Sequence, residues 1–96
     1  MNSKNVKICK ELVKRFGDDY VIDKLSEEAQ EVALAITQLR CKTKTDKKKR
    51  LNDVYLEVAD LKIALRQAEC VLSKRKINKF VNAKLQKKKL KHLTKK

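Results

Sequence analysis

Turn-forming residues are almost absent from this chain, and that absence constrains its fold more than any other feature. The 96 residues contain no proline and a single glycine, Gly17. Sheets and sandwiches need turn residues at regular intervals, whereas a few long helices need only a few breaks. The sequence therefore predicts an all-α fold, a bundle of about four helices, in one domain that spans residues 1–96.

Apolar residues at helical spacing divide the chain into four segments. In order, we expect helices over about Ser3–Phe16, Tyr20–Lys42, Lys47–Leu72 and from Ser73 or Lys74 onward. Gly17 suits the end of the first helix, and Thr45 or Asp46 can cap the third. The apolar stripe of the fourth helix thins beyond Leu85, so we expect a fraying, lysine-rich end from about residue 86.

The apolar positions also indicate how the helices pack. The second helix carries one regular stripe, formed by Leu25, Ala29, Val32, Ile36 and Leu39. The third has a main apolar face of Leu51, Val54, Val58, Leu61, Leu65 and Leu72. Leu56 and Ile63 lie well away from that face, and a helix apolar on two sides packs against several neighbours. We therefore expect a homo-oligomer; the alternative is a monomer whose first helix covers the second face.

The charge of the chain is strongly positive and unevenly placed. The formal net charge is +14, and no acid follows Glu69, whereas many lysines do. Such a segment attracts polyanions, either nucleic acid or the phosphates of a nucleotide. A solvated helix face without a partner is the alternative interpretation.

The cysteines and the hydropathy of the chain indicate the cellular compartment in which the protein is expected. Cys9, Cys41 and Cys70 are far apart and lack zinc-ligand spacing, which favours reduced thiols in a cytoplasmic protein. No apolar run approaches the roughly 20 residues of a membrane span. The N-terminus has no continuous apolar stretch of the kind found in a signal peptide. We therefore expect a cytoplasmic protein with no membrane partner.

Two acid pairs occupy mirrored positions in the second and third helices. Glu28 and Glu31 are three residues apart, as are Glu57 and Asp60, and both pairs are equidistant from Lys44. An antiparallel hairpin centred there brings the four carboxylates to one groove, where they repel each other unless a cation binds. Oxygen ligands suit Mg²⁺ or Mn²⁺, and the single histidine argues against zinc. The alternative is exposed acids paired with lysines.

These acids also carry a resemblance. The stretch EEAQE at 27–31, followed by EVAD at 57–60, resembles the E-E-x-x-E … E-x-x-D signature of the all-α nucleoside triphosphate pyrophosphohydrolases, the MazG-like superfamily. The preceding FGDDYVIDKLSEEAQEV is similar to the lead-in of short, phage-type members. The ending INKFVNAKLQKKKLKHL is similar to their basic final helix, so the resemblance covers most of the chain.

The resemblance implies a helical core completed by association of protomers into dimers or tetramers. It implies Mg²⁺-dependent cleavage of an NTP or dNTP between the α and β phosphates, which yields the monophosphate and pyrophosphate. By position, Glu28, Glu31, Glu57 and Asp60 are the implied metal ligands. Glu27 matches the first glutamate of the motif, and it is implied to position the attacking water or to hold a ligand in place. A phage-encoded member would act in the host cytoplasm.

Lysines of the last helix complete the expected site. A triphosphate brings several negative charges, and cations can offset those on the β and γ phosphates as pyrophosphate leaves. Lys84, Lys87 and Lys88 are the candidates; the alternative is that they are ordinary surface lysines.

Two other functions stay open, a basic nucleic-acid-binding protein and a regulatory bundle without activity. Alarmones such as guanosine tetraphosphate stay open as substrates.

Overall fold

The computed structural model describes residues 1–41 and 46–94, and these form four helices and no strand. The helices are α1 (Ser3–Phe16), α2 (Asp18–Leu39), α3 (Lys47–Val71) and α4 (Lys74–His92). The all-α prediction is confirmed, and α4 remains helical to His92, beyond the point where fraying was expected. The turn expected at residues 42–46 lies outside the described residues except for Asp46, and so does the alternative cap, Thr45.

Side chains at the helix starts explain three of these boundaries. Asn2 accepts a hydrogen bond of 2.8 Å from an amide in the first turn of α1. Asp46 accepts from two amides in the first turn of α3, at 3.0 and 3.2 Å. Ser73 accepts from an amide of α4 at 3.2 Å. Each cap satisfies amides that have no acceptor within the helix, so these boundaries follow from local sequence.

Gly17 alone separates α1 from α2. Its amide donates to the carbonyl of Val13 at 2.8 Å, which closes the last turn of α1. Its backbone dihedrals are φ 88° and ψ 165°, a conformation that residues with a Cβ rarely adopt. The glycine therefore lets the chain reverse direction in one residue, and Asp18 begins α2 immediately afterwards.

The α2–α3 pair forms the most extensive helix packing, and α1 lies mainly against α3. The most buried positions of α2 are Val21, Glu28 and Ala35, each seven residues apart, and those of α3 are Ala64 and Ala68. Small side chains let the two helices approach closely. The apolar stripe of α2 that was expected to face the core, from Leu25 to Leu39, lies beside this buried line. Ala29 and Ile36 of that stripe are exposed.

Apolar residues form a second, exposed surface along the hairpin. They recur every seven residues: Ile22, Ala29 and Ile36 of α2, Leu51, Val58 and Leu65 of α3, and Leu72 immediately after α3. We call this surface the heptad face. Leu56 lies two positions from Val58, about 200° around α3, and therefore on the opposite side of the hairpin. The two-sided apolar character expected of α3 is thus present in the folded chain.

The first helix covers the second apolar face of α3 only in part. Ile63 lines a cavity with α1 residues, among them Ile8 and Leu12. Leu56, two turns earlier on the same side, is 58% exposed. Within one chain α1 therefore lies beside Ile63 and leaves Leu56 exposed, and the homo-oligomer stays a prediction.

The fourth helix projects away from the other three. Ser73 and Leu72 are extended, and α4 packs substantially against no other helix in the part of the chain described. The radius of gyration is 16.9 Å, whereas a compact chain of this length would have about 12–13 Å. Phe80, Val81 and Leu85 of α4 remain exposed. Among the described helices, none combines the length and apolar content that crossing a bilayer requires.

Candidate metal centre

A groove between α2 and α3 contains Glu28, Glu31, Glu57 and Asp60, on the side of the hairpin opposite the heptad face. Two cavities, of about 340 and 230 Å³, mark it. Its walls are formed by Lys24, Glu28, Glu31, Leu34, Ala35 and Gln38 of α2, and by Asp53, Leu56, Glu57, Asp60, Ile63 and Ala64 of α3. We call it the acidic groove. Glu31 faces Glu57 and Glu28 faces Asp60, as the antiparallel hairpin predicts.

The predicted acids lie within ligand-sharing distance of each other. Carboxylate oxygens of Glu28, Glu57 and Asp60 are all within 4.8 Å of one another, and so are those of Glu27, Glu28 and Glu31. Glu28 belongs to both sets and is only 6% exposed. The structure thus brings all five acids together, and their roles as ligands and catalytic groups stay a prediction.

Glu57 carries an unusual oxygen. Its Oε2 is buried and has no hydrogen-bond partner within the described residues. The pKa of Glu57 is raised above its ordinary value of 4.5, first by a side-chain hydrogen bond with Glu31 and then by burial and the charges of Glu31, Asp60 and Glu28. Two ionised carboxylates offer no donor, so this hydrogen bond exists only when the pair holds a proton. In the ionised pair the buried oxygen lacks any partner.

Glu28 is repelled by neighbouring carboxylates as well, and Lys24 offsets part of this repulsion. Burial raises its pKa above the ordinary value, the charges of Glu31 and Asp60 add to the rise, and Lys24 opposes it. The Lys24 Nζ lies 3.3 Å from Glu27 Oε1 and 3.6 Å from Glu28 Oε1. The hydrogen bond with Glu27 is the main reason that the pKa of Lys24 is raised. Lys24 therefore pairs with two of the five carboxylates, and Glu31, Glu57 and Asp60 form no salt bridge within residues 1–41 and 46–94, so this part of the cluster keeps an excess of negative charge.

The chemistry of this donor set fits a divalent cation of the magnesium class. All five predicted ligands and neighbours are carboxylates, which are hard oxygen donors, and no histidine or thiol is among the residues that line the groove. A bound cation would supply the partner that Glu57 Oε2 lacks and would reverse the repulsion between the acids. The residues that would hold it are Glu28, Glu31, Glu57 and Asp60.

The predicted phosphate-binding lysines are elsewhere in the chain. Lys84, Lys87 and Lys88 are exposed on α4. Because α4 packs substantially against neither α2 nor α3, one chain alone does not bring these lysines to the acidic groove. Among the described residues, the cation that forms salt bridges with these acids is one that sequence reasoning passed over, Lys24.

Three groove residues escaped the sequence analysis. Lys24 lies four residues before Glu28 and Asp53 lies four before Glu57, so helical spacing could have identified both. Gln38 shares the larger cavity with Asp53, and its Oε1 accepts a hydrogen bond of 3.1 Å from Arg50 Nη1. Nothing in the sequence singled out this glutamine, because its place depends on how α3 packs against α2.

The chain was compared with protein-family models, with curated proteins and with solved structures, and none of the three comparisons found a match. The fold and the arrangement of the acids therefore stand on the geometry described above. The resemblance to the MazG-like superfamily, which rests on the two acid motifs, stays a prediction.

Proposed function

We propose that this protein is a Mg²⁺-dependent nucleoside triphosphate pyrophosphohydrolase of the MazG-like kind. The observation that carries the proposal is the acid cluster of the groove, in which two helices bring five carboxylates together around a buried oxygen without a partner. Acids that serve only stability are normally paired with cations, whereas in the described part of the chain Lys24 is the one cation that pairs with this cluster. Such a cluster is suited to hold a divalent cation, as a metal-dependent enzyme requires.

Each residue of the cluster has a distinct part in this proposal. Glu28, Glu31, Glu57 and Asp60 would hold the ion, which when bound polarises a phosphoryl oxygen and offsets phosphate charge. Glu27 is exposed at the edge of the cluster, where its carboxylate is suited to orient a water molecule. Lys24 holds Glu27 at 3.3 Å and so restricts its rotamers.

The proposed reaction is hydrolysis of an NTP or dNTP. Water oxygen bonds to the α phosphorus, the bond from the α phosphorus to the bridging oxygen breaks, and pyrophosphate leaves with that oxygen. The products are the nucleoside monophosphate and pyrophosphate, with the proton of the water released to solvent or to a carboxylate. Cations near the β and γ phosphates favour this departure because they stabilise the charge that develops on them.

A homo-oligomer, a dimer or tetramer, is part of the proposal. Within the described residues, Val21 is the largest side chain that is almost completely buried, so one chain has a thin core. The heptad face exposes a continuous row of large apolar groups, and such faces are normally covered by a partner. Its seven-residue repeat matches the spacing with which helices pack side by side.

A pyrophosphate-release assay tests the activity. Each of the common NTPs and dNTPs, and guanosine tetraphosphate, would be incubated with the protein in Mg²⁺, in Mn²⁺ and in EDTA. We expect metal-dependent pyrophosphate release from a triphosphate, abolished in Glu57→Gln and retained in Glu11→Gln, which removes the same charge from an exposed site on α1. Absence of release from every nucleotide, with metal binding intact, would refute the hydrolase.

The exposed lysines of α4 favour a second candidate function, binding of nucleic acid. Residues after Glu69 include no acid, and every described residue from 78 to 94 is exposed. Binding of this kind rests on counterion release, so we expect it to be non-specific and to weaken steeply with salt. Fluorescence anisotropy with unrelated duplexes tests it: affinity that persists at high salt, with sequence preference, would favour nucleic-acid recognition over hydrolysis.

A further inference from the structure

Another cavity lies where α1, the end of α3 and the start of α4 meet. Its volume is about 560 Å³, larger than either cavity of the acidic groove. It shares no lining residue with that groove or with the heptad face. The residues that line it are Lys10, Val13 and Lys14 of α1, Arg66, Glu69 and Cys70 of α3, and Lys74 of α4. We call it the cationic cavity.

The charges around the cationic cavity are mostly positive. Four cations and one carboxylate line it, which gives a formal net charge of +3. Within residues 1–41 and 46–94, none of its three lysines forms a salt bridge. Like charges that converge on one concavity repel one another, and a bound anion reverses that repulsion. The cavity therefore favours a ligand with several negative charges.

The one acid of the cavity holds its arginine in place. Glu69 Oε1 accepts a hydrogen bond of 2.7 Å from Arg66 Nη1, and the two side chains are only 26% and 19% exposed. A guanidinium has five N–H donors, so one such bond leaves the group able to bind a phosphate oxygen as well. Glu69 therefore orients Arg66 while the lysines supply the excess of positive charge.

A compact phosphate chain matches this arrangement. Pyrophosphate and the phosphate end of a nucleotide carry several negative charges in a small volume. Lys10 and Lys14 are about 6 Å apart along α1, a span that linked phosphates and flexible lysine side chains can bridge. Among the described residues that line the cavity, none is aromatic, so no ring would stack on a base. Recognition there would rest on the phosphates.

We propose that the cationic cavity binds a compact phosphate chain, either free pyrophosphate or the phosphate end of a nucleotide, at a site distinct from the acidic groove. Lys10, Lys14 and Lys74 would contact phosphate oxygens as point charges, and Arg66 through its planar set of donors. The base and sugar of a nucleotide would remain in solvent. This binding does not depend on hydrolysis in the groove.

Alkylation of Cys70 reports whether the cavity is occupied. Cys70 is exposed and lines the cavity, whereas Cys41 is exposed and is not among the lining residues. The protein would be treated with N-ethylmaleimide, a neutral reagent, in EDTA, so that no divalent cation draws phosphate to the acidic groove. We expect pyrophosphate to slow the alkylation of Cys70 and not that of Cys41, as measured by peptide mass spectrometry. Equal slowing by sodium chloride at the same ionic strength, or no slowing at Cys70, would overturn the proposal.

A charge-matched pair of variants locates the binding. Lys10→Gln with Lys14→Gln removes two cations from the cavity, whereas Lys4→Gln with Arg15→Gln removes two from another side of the same helix. These side chains are all exposed, so neither change removes core packing. By titration calorimetry in EDTA, we expect the affinity for pyrophosphate to fall about tenfold or more in the first variant and to be unchanged in the second. Equal affinities of the two variants, each with wild-type helical content by circular dichroism, would refute the cationic cavity as the site.

A series of ligands identifies the source of the phosphate. Affinities for ATP and CTP that equal or exceed that of pyrophosphate assign the cavity to the phosphate end of nucleotides, and tighter binding of pyrophosphate assigns it to the free anion. A marked preference between ATP and CTP would refute recognition through phosphate alone. Protection of Cys70 by an oligothymidylate, and by none of these three, would replace the proposal with a nucleic-acid surface. Pyrophosphate binding in EDTA, without any hydrolysis by the wild type in Mg²⁺, would refute the enzyme and leave this site standing.

Discussion

The carboxyl groups of Glu31 and Glu57 face each other across α2 and α3, and a hydrogen bond between them is the first cause of the raised pKa of Glu57. Two ionised carboxylates offer no donor for such a bond, and a cation can replace the proton between them. We therefore expect the ionised pair to oppose folding without metal and the proposed metal to reverse that effect. This dual behaviour can be measured through stability as well as through activity.

Glu57→Gln should separate stability from turnover. The amide keeps the shape of the side chain, removes one charge from the repulsive cluster and can donate a hydrogen bond to Glu31. We expect the melting temperature in EDTA to rise by a few degrees, the increase produced by excess Mg²⁺ to shrink, and turnover to be lost. Glu11→Gln serves as the control in both buffers. A lower melting temperature for Glu57→Gln in EDTA would instead indicate a structural ion-pair network.

The pH dependence of stability in EDTA follows from the raised pKa values of Glu28 and Glu57. The folded chain holds protons on these groups at pH values where the unfolded chain has lost them. Their contribution is complete below the ordinary pKa of 4.5 and is lost as pH rises through the folded pKa values. We therefore expect the melting temperature to fall as pH rises above the ordinary value of 4.5, as measured by calorimetry.

Comparison with the variant isolates this effect from other titrating groups. Glu57→Gln removes one of the two carboxyl groups whose pKa is raised, so the melting temperature of the variant should depend less on pH. Mg²⁺ should reduce the pH dependence of the wild type in the same way. Parallel profiles for wild type and variant would mean that the cluster does not govern the response.

Leu65→Glu should disrupt association of the heptad face. Leu65 is 48% exposed and lies in the middle of the seven-residue repeat of α3, so a glutamate there places a charge in the proposed interface. We expect light scattering at micromolar concentration to show smaller species than the wild type. Leu90→Glu, on the exposed surface of α4 away from its apolar face, is the matched control. An unchanged mass for Leu65→Glu would exclude this face as the interface.

Gly17→Ala should destabilise the chain although the site has room for a methyl group. No heavy atom lies within 4 Å of the position a Cβ would take, so a clash is not the cause. The cost comes from the dihedrals, φ 88° and ψ 165°, and is about 1–3 kcal/mol. Urea unfolding should show a lower midpoint with a similar slope. An unchanged midpoint would indicate that the link between α1 and α2 relaxes to another conformation.

Local features were predictable because short-range chemistry decides them. The helix end at Gly17 and the helix starts at Asp46 and Ser73 require only a positive φ or a side-chain oxygen at the right place. The prediction that Glu28 and Asp60 lie side by side on α2 and α3 required only an antiparallel hairpin centred near residue 44. Such features depend on residues close in sequence or on the antiparallel pairing of two consecutive helices.

Tertiary features were less predictable. The buried line of α2 passes through Val21, Glu28 and Ala35, not along the larger apolar side chains beside it, and the periodicity of the sequence does not reveal which line the neighbouring helices cover. The direction of α4 depends on the extended conformations of Leu72 and Ser73, which no periodicity reveals. The distance of its lysines from the acids follows from that direction.

The isolation of α4 leaves its helical state marginal in a single chain. A lysine-rich helix of 19 residues that packs substantially against no other described helix has little stability in water, since tertiary contacts supply most of the stability of helices in proteins. We therefore expect α4 to unwind at a lower temperature than α2 and α3, which pack against each other. Its lysines would then be the first tryptic cleavage sites to become accessible, so that limited proteolysis would remove this segment while the hairpin that carries the acids stays folded.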